Sequence, residues 1–153
     1  MDHSKILPNL FVGSQPKTAA DISELQSAGI TGVLNLQTQE DFDHHGIDWP
    51  GVEASYAAQQ MEVRRVPIRD FQDHILREKL PEAVRVLGEL LDAGRTSYVH
   101  CNVGVNRSPS TVISYLHWSL GWDLDDAEQH VRKCRPICEP VMEVVRQATQ
   151  DRQ

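Results

Sequence analysis

The sequence predicts a single α/β domain with a central, mostly parallel sheet flanked by helices. Short apolar runs of strand length alternate with longer segments whose apolar residues recur at helical spacing. The chain has 153 residues, 40% of them hydrophobic and 24% charged, which suits one domain with a real core. Neither an internal repeat nor a Gly/Ser/Pro-rich linker divides it, so residues 1–153 are read as one unit.

Taken in order, Leu10-Phe11-Val12 is an apolar run stopped by Gly13 and reads as a strand. Thr18 followed by Asp21 has the form of a capping box, and Ile22, Leu25 and Ile30 continue at near-helical spacing, with Gly29 ending the helix. Val33 to Leu36 is the next strand. The polar stretch Asp41 to Gly51 reads as irregular. Val52 to Gln60 is expected as a helix, Met61 to Val66 as a strand and Pro67 to His74 as a charged loop. Apolar residues at Leu80, Ala83, Val84, Leu87, Leu90 and Leu91 predict an amphipathic helix closed by Gly94. Tyr98-Val99 is a short buried strand leading into Cys101. A helix follows from Ser108 to Leu120, ended by Gly121. Two more are expected over Asp125 to Arg135 and Val141 to Gln150, parted by Pro136 and Pro140.

Formal net charge is -7, an acidic balance that argues against nucleic acid and anionic lipid as partners. An anionic ligand would need a positive site built locally. The three cysteines are an odd number, which speaks against a disulfide framework and for a reducing intracellular compartment. Met1 to Lys5 opens no apolar signal core, and no apolar run reaches the ~18 residues of a membrane span.

The segment His100-Cys101-Asn102-Val103-Gly104-Val105-Asn106-Arg107-Ser108 lies between a predicted strand and a predicted helix. A loop curled before a helix N-terminus turns successive N–H groups inward and makes an anion nest, to which the helix adds its positive end. Gly104 permits the curl. Arg107 offers a planar fork of donors matched to two phosphate oxygens. The same field favours an ionised, nucleophilic sulfur at Cys101. Asn102, Val103, Gly104, Val105, Asn106 and Arg107 are therefore the candidate phosphate-binding residues.

This string resembles the signature of the protein tyrosine phosphatase superfamily, specifically its small dual-specificity branch. The resemblance implies a metal-independent, cofactor-free phosphomonoester hydrolase working through a phosphocysteine. It also implies an aspartate acid on a loop some thirty residues before the cysteine. Asp70 lies 31 positions before Cys101, and Asp73 is the rival. By the same resemblance Ser108 assists departure of the sulfur, and His100 orients the loop and supports the thiolate.

The resemblance extends along the chain, beginning at Ile6 to Ser14, which looks like the family's opening strand. Leu34-Asn35-Leu36-Gln37 with Gly46-Ile47-Asp48, Ile68-Arg69-Asp70-Phe71 with Leu76-Arg77, and Val145 to Thr149 are similar to plant glucan phosphatases and laforin-like enzymes. That implies a phosphorylated protein or a phosphoglucan as substrate, with Phe71 as a stacking aromatic. Where those enzymes carry further aromatics, this chain has His44, His45 and Glu139. His44 and His45 read as a solvated loop pair, and Trp118 and Trp122 as packing residues. His130, Cys134 and Cys138 lack an evident fourth ligand, so no metal site is expected. A rhodanese-like sulfurtransferase and an inactive phosphate-binding module are the competing classes. The first has no use for an acid at Asp70, and the second usually lacks one of Cys, Arg or Asp.

Overall fold

The structure, a computed structural model, describes residues 1–153. Its strands are β1 (His3–Leu7), β2 (Leu10–Gly13), β3 (Gly32–Asn35), β4 (Glu62–Arg65) and β5 (Ser97–His100). They form one sheet in the order β1-β2-β5-β3-β4. Only β1 runs antiparallel; β2, β5, β3 and β4 are parallel. The helices are α1 (Ala19–Ser27), α2 (Gln39–His45), α3 (Trp49–Ala58), α4 (Asp73–Asp92), α5 (Arg107–Trp118), α6 (Leu124–Cys134) and α7 (Met142–Asp151).

Alternation along the strands explains the three layers. Val33, Tyr98 and Phe11 face a smaller core shared with Ile22 and Leu25 of α1, Phe42 of α2 and Tyr56 of α3. Their neighbours Leu34, Val99 and Val12 point the other way, into the larger core made with α4, α5, α6 and α7. In register, Gly13 pairs with His100, His100 with Asn35, and Asn35 with Arg65. Four parallel strands thus end together, and ligands of such sheets bind beyond that edge.

Three expectations need correction. The opening segment is a hairpin, not one strand, because Pro8-Asn9 separates β1 from β2 and reverses the chain. The stretch after Asp41 is not irregular: it contains α2, which Thr38 caps. The Thr38 hydroxyl accepts from the Asp41 N–H, the Asp41 carboxylate accepts from the Thr38 N–H, and Gly46 closes the helix at φ 64°. His44 and His45 therefore lie in the last turn of a helix, not in a loop. Finally, α4 begins at Asp73, well before Leu80, and runs through Pro81. Leu76 extends the buried stripe, and the carbonyl left without a helical partner by Pro81 belongs to solvent-facing Arg77. No helix is long and apolar enough to cross a membrane, and all three cysteines are free thiols.

Leu34 is fully buried on β3, an interior strand of the sheet. Leu34→Ala is expected to lower stability by about 2–5 kcal/mol. Urea unfolding should show the midpoint falling with an unchanged slope.

Candidate active site

The Cys101–Asn106 loop leaves the carboxyl end of β5 and runs directly into α5. Its carbonyls, from Cys101 to Asn106, are all taken by the surrounding scaffold. Cys101 O accepts from the His100 ring at 2.9 Å. Asn102 O accepts from the Gln15 N–H at 2.9 Å, and Val105 O from the Glu139 N–H at 2.7 Å. Val103 O and Gly104 O both accept from Arg135, at 2.9 and 2.7 Å. Asn106 O accepts from the N–H and hydroxyl of Ser110 at 3.1 and 2.7 Å. The N–H groups of Asn102 to Ser108, by contrast, donate to no carbonyl or side chain. A loop with its carbonyls turned out and its N–H groups free is an anion nest. Gly104 adopts φ +70°, and a Cβ there would meet Gly13 O at 2.6 Å, so both conformation and space require glycine.

The Cys101 sulfur is buried beneath this loop, 3.3 Å from the Ser108 hydroxyl. A cavity of about 250 Å³ above it is lined by Asp70, Phe71, Asn102, Val103, Val105, Asn106 and Arg107. Arg107 is anchored through one nitrogen. Its Nη1 donates to Asp41 Oδ2 and to Ile68 O, both at 2.8 Å. Its buried Nε and Nη2 have no hydrogen-bond partner, and Nη2 lies 3.4 Å from Asp70 Oδ2. The unpartnered atoms are one edge of the guanidinium fork, the edge that takes two oxygens of a phosphate side by side.

Asp41 was not singled out from the sequence, and it touches the loop at both ends. Besides Arg107, it accepts from the Asn102 amide at 3.0 Å. Burial alone would raise its carboxyl, but the Arg107 guanidinium, the Thr38 N–H and the Asn102 amide hold it below the usual carboxylate range. Gln37 donates to Gln15 and Asn102 at 2.7 and 2.9 Å, tying the ends of β2, β3 and β5 together. Arg135, the other residue missed, is 1% exposed and reaches Asp2 at 2.7 Å as well as the loop. The Thr38/Asp41 capping box was a legible signal for Asp41. Nothing in the sequence pointed to Arg135, which reads as an ordinary helix end.

Asp70 lines the cavity above Cys101. Asp73, in the first turn of α4, lines only a smaller cavity of about 60 Å³ that it shares with Asp70, Asn106 and Arg107. Phe71 is 87% exposed at φ 57°, a left-handed backbone unusual for an aromatic residue. Its N–H donates to Asp70 Oδ1 at 3.1 Å. The cavity continues into a cleft of about 770 Å³ bounded by Phe71, Val103, Arg69 and the α2 residues Glu40, His44 and His45. Trp118 and Trp122 pack against the larger core, away from this cleft.

Residues 10–153 match the family described as dual specificity phosphatase, catalytic domain. The chain belongs to that family. It is 31% identical over 154 residues to a phosphoglucan phosphatase, DSP4, of Castanea sativa, covering 99% of this chain and 40% of that protein. It is 32% identical over 162 residues to laforin of Mus musculus, covering 99% of this chain and 49% of that one. It thus spans less than half the length of these curated relatives. The crystal structure of human DUSP28 superimposes with a TM-score of 0.75 at 26% identity, over 99% of this chain and 95% of that one.

In this dual specificity phosphatase domain the His100 ring is neutral. A carbonyl can only accept, so the bond to Cys101 O places the proton on Nδ1, leaving Nε2 bare and buried. Burial pulls its pKa down to about 4, with the Arg107 charge adding to the effect and the carbonyl bond opposing it. His100 therefore orients the loop as a neutral donor and brings no positive charge to the sulfur. Since the unfolded ring titrates near ~6.5, the unfolded chain binds the extra proton between those two values. The contribution is complete above about pH 6.5 and is lost as pH falls towards 4, by about 3 kcal/mol in all. Denaturation from pH 7 to 4.5 should show that slope, and His100→Asn should flatten it.

Proposed function

We propose that this domain hydrolyses phosphomonoesters through a phosphocysteine on Cys101. The observation that carries the reading is the unpartnered Nε/Nη2 edge of Arg107, buried over the same cavity as the sulfur and the ring of free N–H groups. Together these supply donors for the equatorial oxygens of a phosphoryl group lying in line with a nucleophile.

In the first step a sulfur lone pair forms the Sγ–P bond while the P–O bond to the leaving group breaks. Asp70 gives that departing oxygen its proton. In the second, Asp70 takes a proton from water as the water oxygen attacks phosphorus. The S–P bond breaks, the electron pair returns to sulfur, and inorganic phosphate leaves. The Ser108 hydroxyl, 3.3 Å from the sulfur, donates to the departing thiolate. Arg107 and the N–H groups of Asn102 to Ser108 hold the charge throughout. Asn102, Val103, Val105 and Asn106 line the phosphate cavity, and Gly104 gives the loop its turn.

For substrate we propose a phosphorylated tyrosine, serine or threonine side chain, received from the broad cleft beside the catalytic cavity. A second reading, a phosphoglucan, is favoured by the relatives named phosphoglucan phosphatase and laforin and by the exposed ring of Phe71. Against it, the cleft wall formed by α2 offers His44 and His45 in place of larger aromatics, and Glu139 spends its N–H on the loop. Each missing stack removes contact area for a neutral sugar chain.

A small aryl phosphate should be hydrolysed in the presence of EDTA. Cys101→Ser should abolish turnover yet still bind phosphate, and a fully active Cys101→Ser enzyme would end the phosphocysteine reading. Asp70→Asn should lower kcat by about 10²–10⁴-fold, with Asp73→Asn close to wild type. The reverse ranking would move the acid to Asp73.

Phe71→Ala distinguishes the substrate readings. Phosphotyrosine peptides should be turned over at least as well as solubilised amylopectin. The variant should slow amylopectin more than aryl phosphate. An equal loss on both would mean that Phe71 only positions Asp70.

A further inference from the structure

We infer that Asp41 is the positioning residue that sets Arg107 for bidentate phosphate binding; the inference rests on the phosphatase reading above. A guanidinium has five N–H donors in one plane. Two acceptors, Asp41 Oδ2 and Ile68 O, lie on Nη1 at 2.8 Å each. Two points on one nitrogen fix both the position of the fork and the rotation of its plane. The opposite edge, Nε and Nη2, is left buried and without a hydrogen bond. Leaving charged donors unpaired in the interior is costly unless an acceptor arrives, and a phosphate dianion is the acceptor that fits that edge.

Asp41 is the only charged member of the Nη1 pair, and a second carboxylate stands ready to compete. Asp70 Oδ2 is 3.4 Å from Nη2. With Asp41 neutralised, Asp70 becomes the sole carboxylate against the guanidinium. The fork then turns towards the acid, covering the phosphate edge and occupying Asp70 at once. Asp41 thus keeps the cation apart from the acid. Its second oxygen, holding the Asn102 amide at 3.0 Å, pins the other end of the same loop. The carboxylate itself is fixed by α2, through its bond from the Thr38 N–H at 2.9 Å.

Asp41→Asn keeps an oxygen for the Thr38 N–H but loses the charge. It should lower kcat/KM for a small aryl phosphate about 100-fold, the scale of a misplaced catalytic group. The loss should fall mainly on kcat, and the dissociation constant of inorganic phosphate, read by calorimetry, should rise about tenfold. Thr38→Ala is the control. It loosens the same helix cap while leaving Asp41 against Arg107, and its phosphate affinity should stay within about threefold of wild type. If Thr38→Ala weakens phosphate as much as Asp41→Asn, or if Asp41→Asn binds phosphate as wild type does, Asp41 is a helix anchor only. Wild-type turnover tests the phosphatase reading separately. A wild type that binds phosphate without hydrolysing esters would sink that reading and leave the Asp41 comparison readable.

Discussion

The fold depends on turning six consecutive carbonyls, Cys101 to Asn106, away from the space above the sulfur. A backbone that curls tightly cannot pair its own polar groups, and each one left buried and unmatched is expensive. The outward half is answered by Gln15, Glu139, Ser110, His100 and, above all, Arg135. All five guanidinium N–H directions of Arg135 are used, on Val103 O, Gly104 O, Ser4 Oγ and both oxygens of Asp2. A buried cation is tolerable when paired and fully hydrogen-bonded, and Asp2 supplies the charge. The N-terminal strand is thereby connected to the Cys101–Asn106 loop through one side chain at the end of α6. The close approach of Gly104 to Gly13 O belongs to the same construction.

With its carbonyls committed outward, the loop has only N–H groups to offer inward, and the remaining design concerns charge. The chain carries a formal net charge of -7, yet the cavity gathers Arg107 and the amino end of α5 around one sulfur. Carboxylates confine that positive charge from two sides. Asp41 comes from α2 and Asp70 from the segment after β4, and they reach Arg107 from different elements. The parallel strands make this possible, because β2, β5, β3 and β4 end in register and deliver their following loops to one edge. Gln37, Gln15 and Asn102 cross-link that edge with side-chain hydrogen bonds that exclude alternative placements.

The loop that carries Asp70 is built differently. Phe71 holds a left-handed backbone and almost no burial, a combination costing about 1–3 kcal/mol that the core does not repay directly. What it gains is local: its N–H reaches Asp70 Oδ1 and orients the carboxylate over the cavity. The same turn projects the ring into the mouth of the cleft, so the placement of Asp70 and the shape of the cleft mouth share one strained residue.

The sequence alone determined the α/β class, the strand entering Cys101, the helix leaving from Ser108 and the loop between them. Those features are local: alternation, glycine stops and the Cys–Gly–Arg spacing act within a few residues of one another. Local chemistry also marked the α1 capping box, and the equivalent box at Thr38 and Asp41 was legible but lay in a stretch too polar to read as a helix. Tertiary structure decided the rest. A hairpin rather than one opening strand depends on pairing across a turn, and the passage of α4 through Pro81 depends on solvent at Arg77. The partners of Arg107 and Arg135 come from positions far apart in the chain, Asp41 and Ile68 for one, Asp2 for the other. No local pattern encodes such pairs, because a buried charge chooses its partner by what the folded sheet edge brings within 3 Å of it.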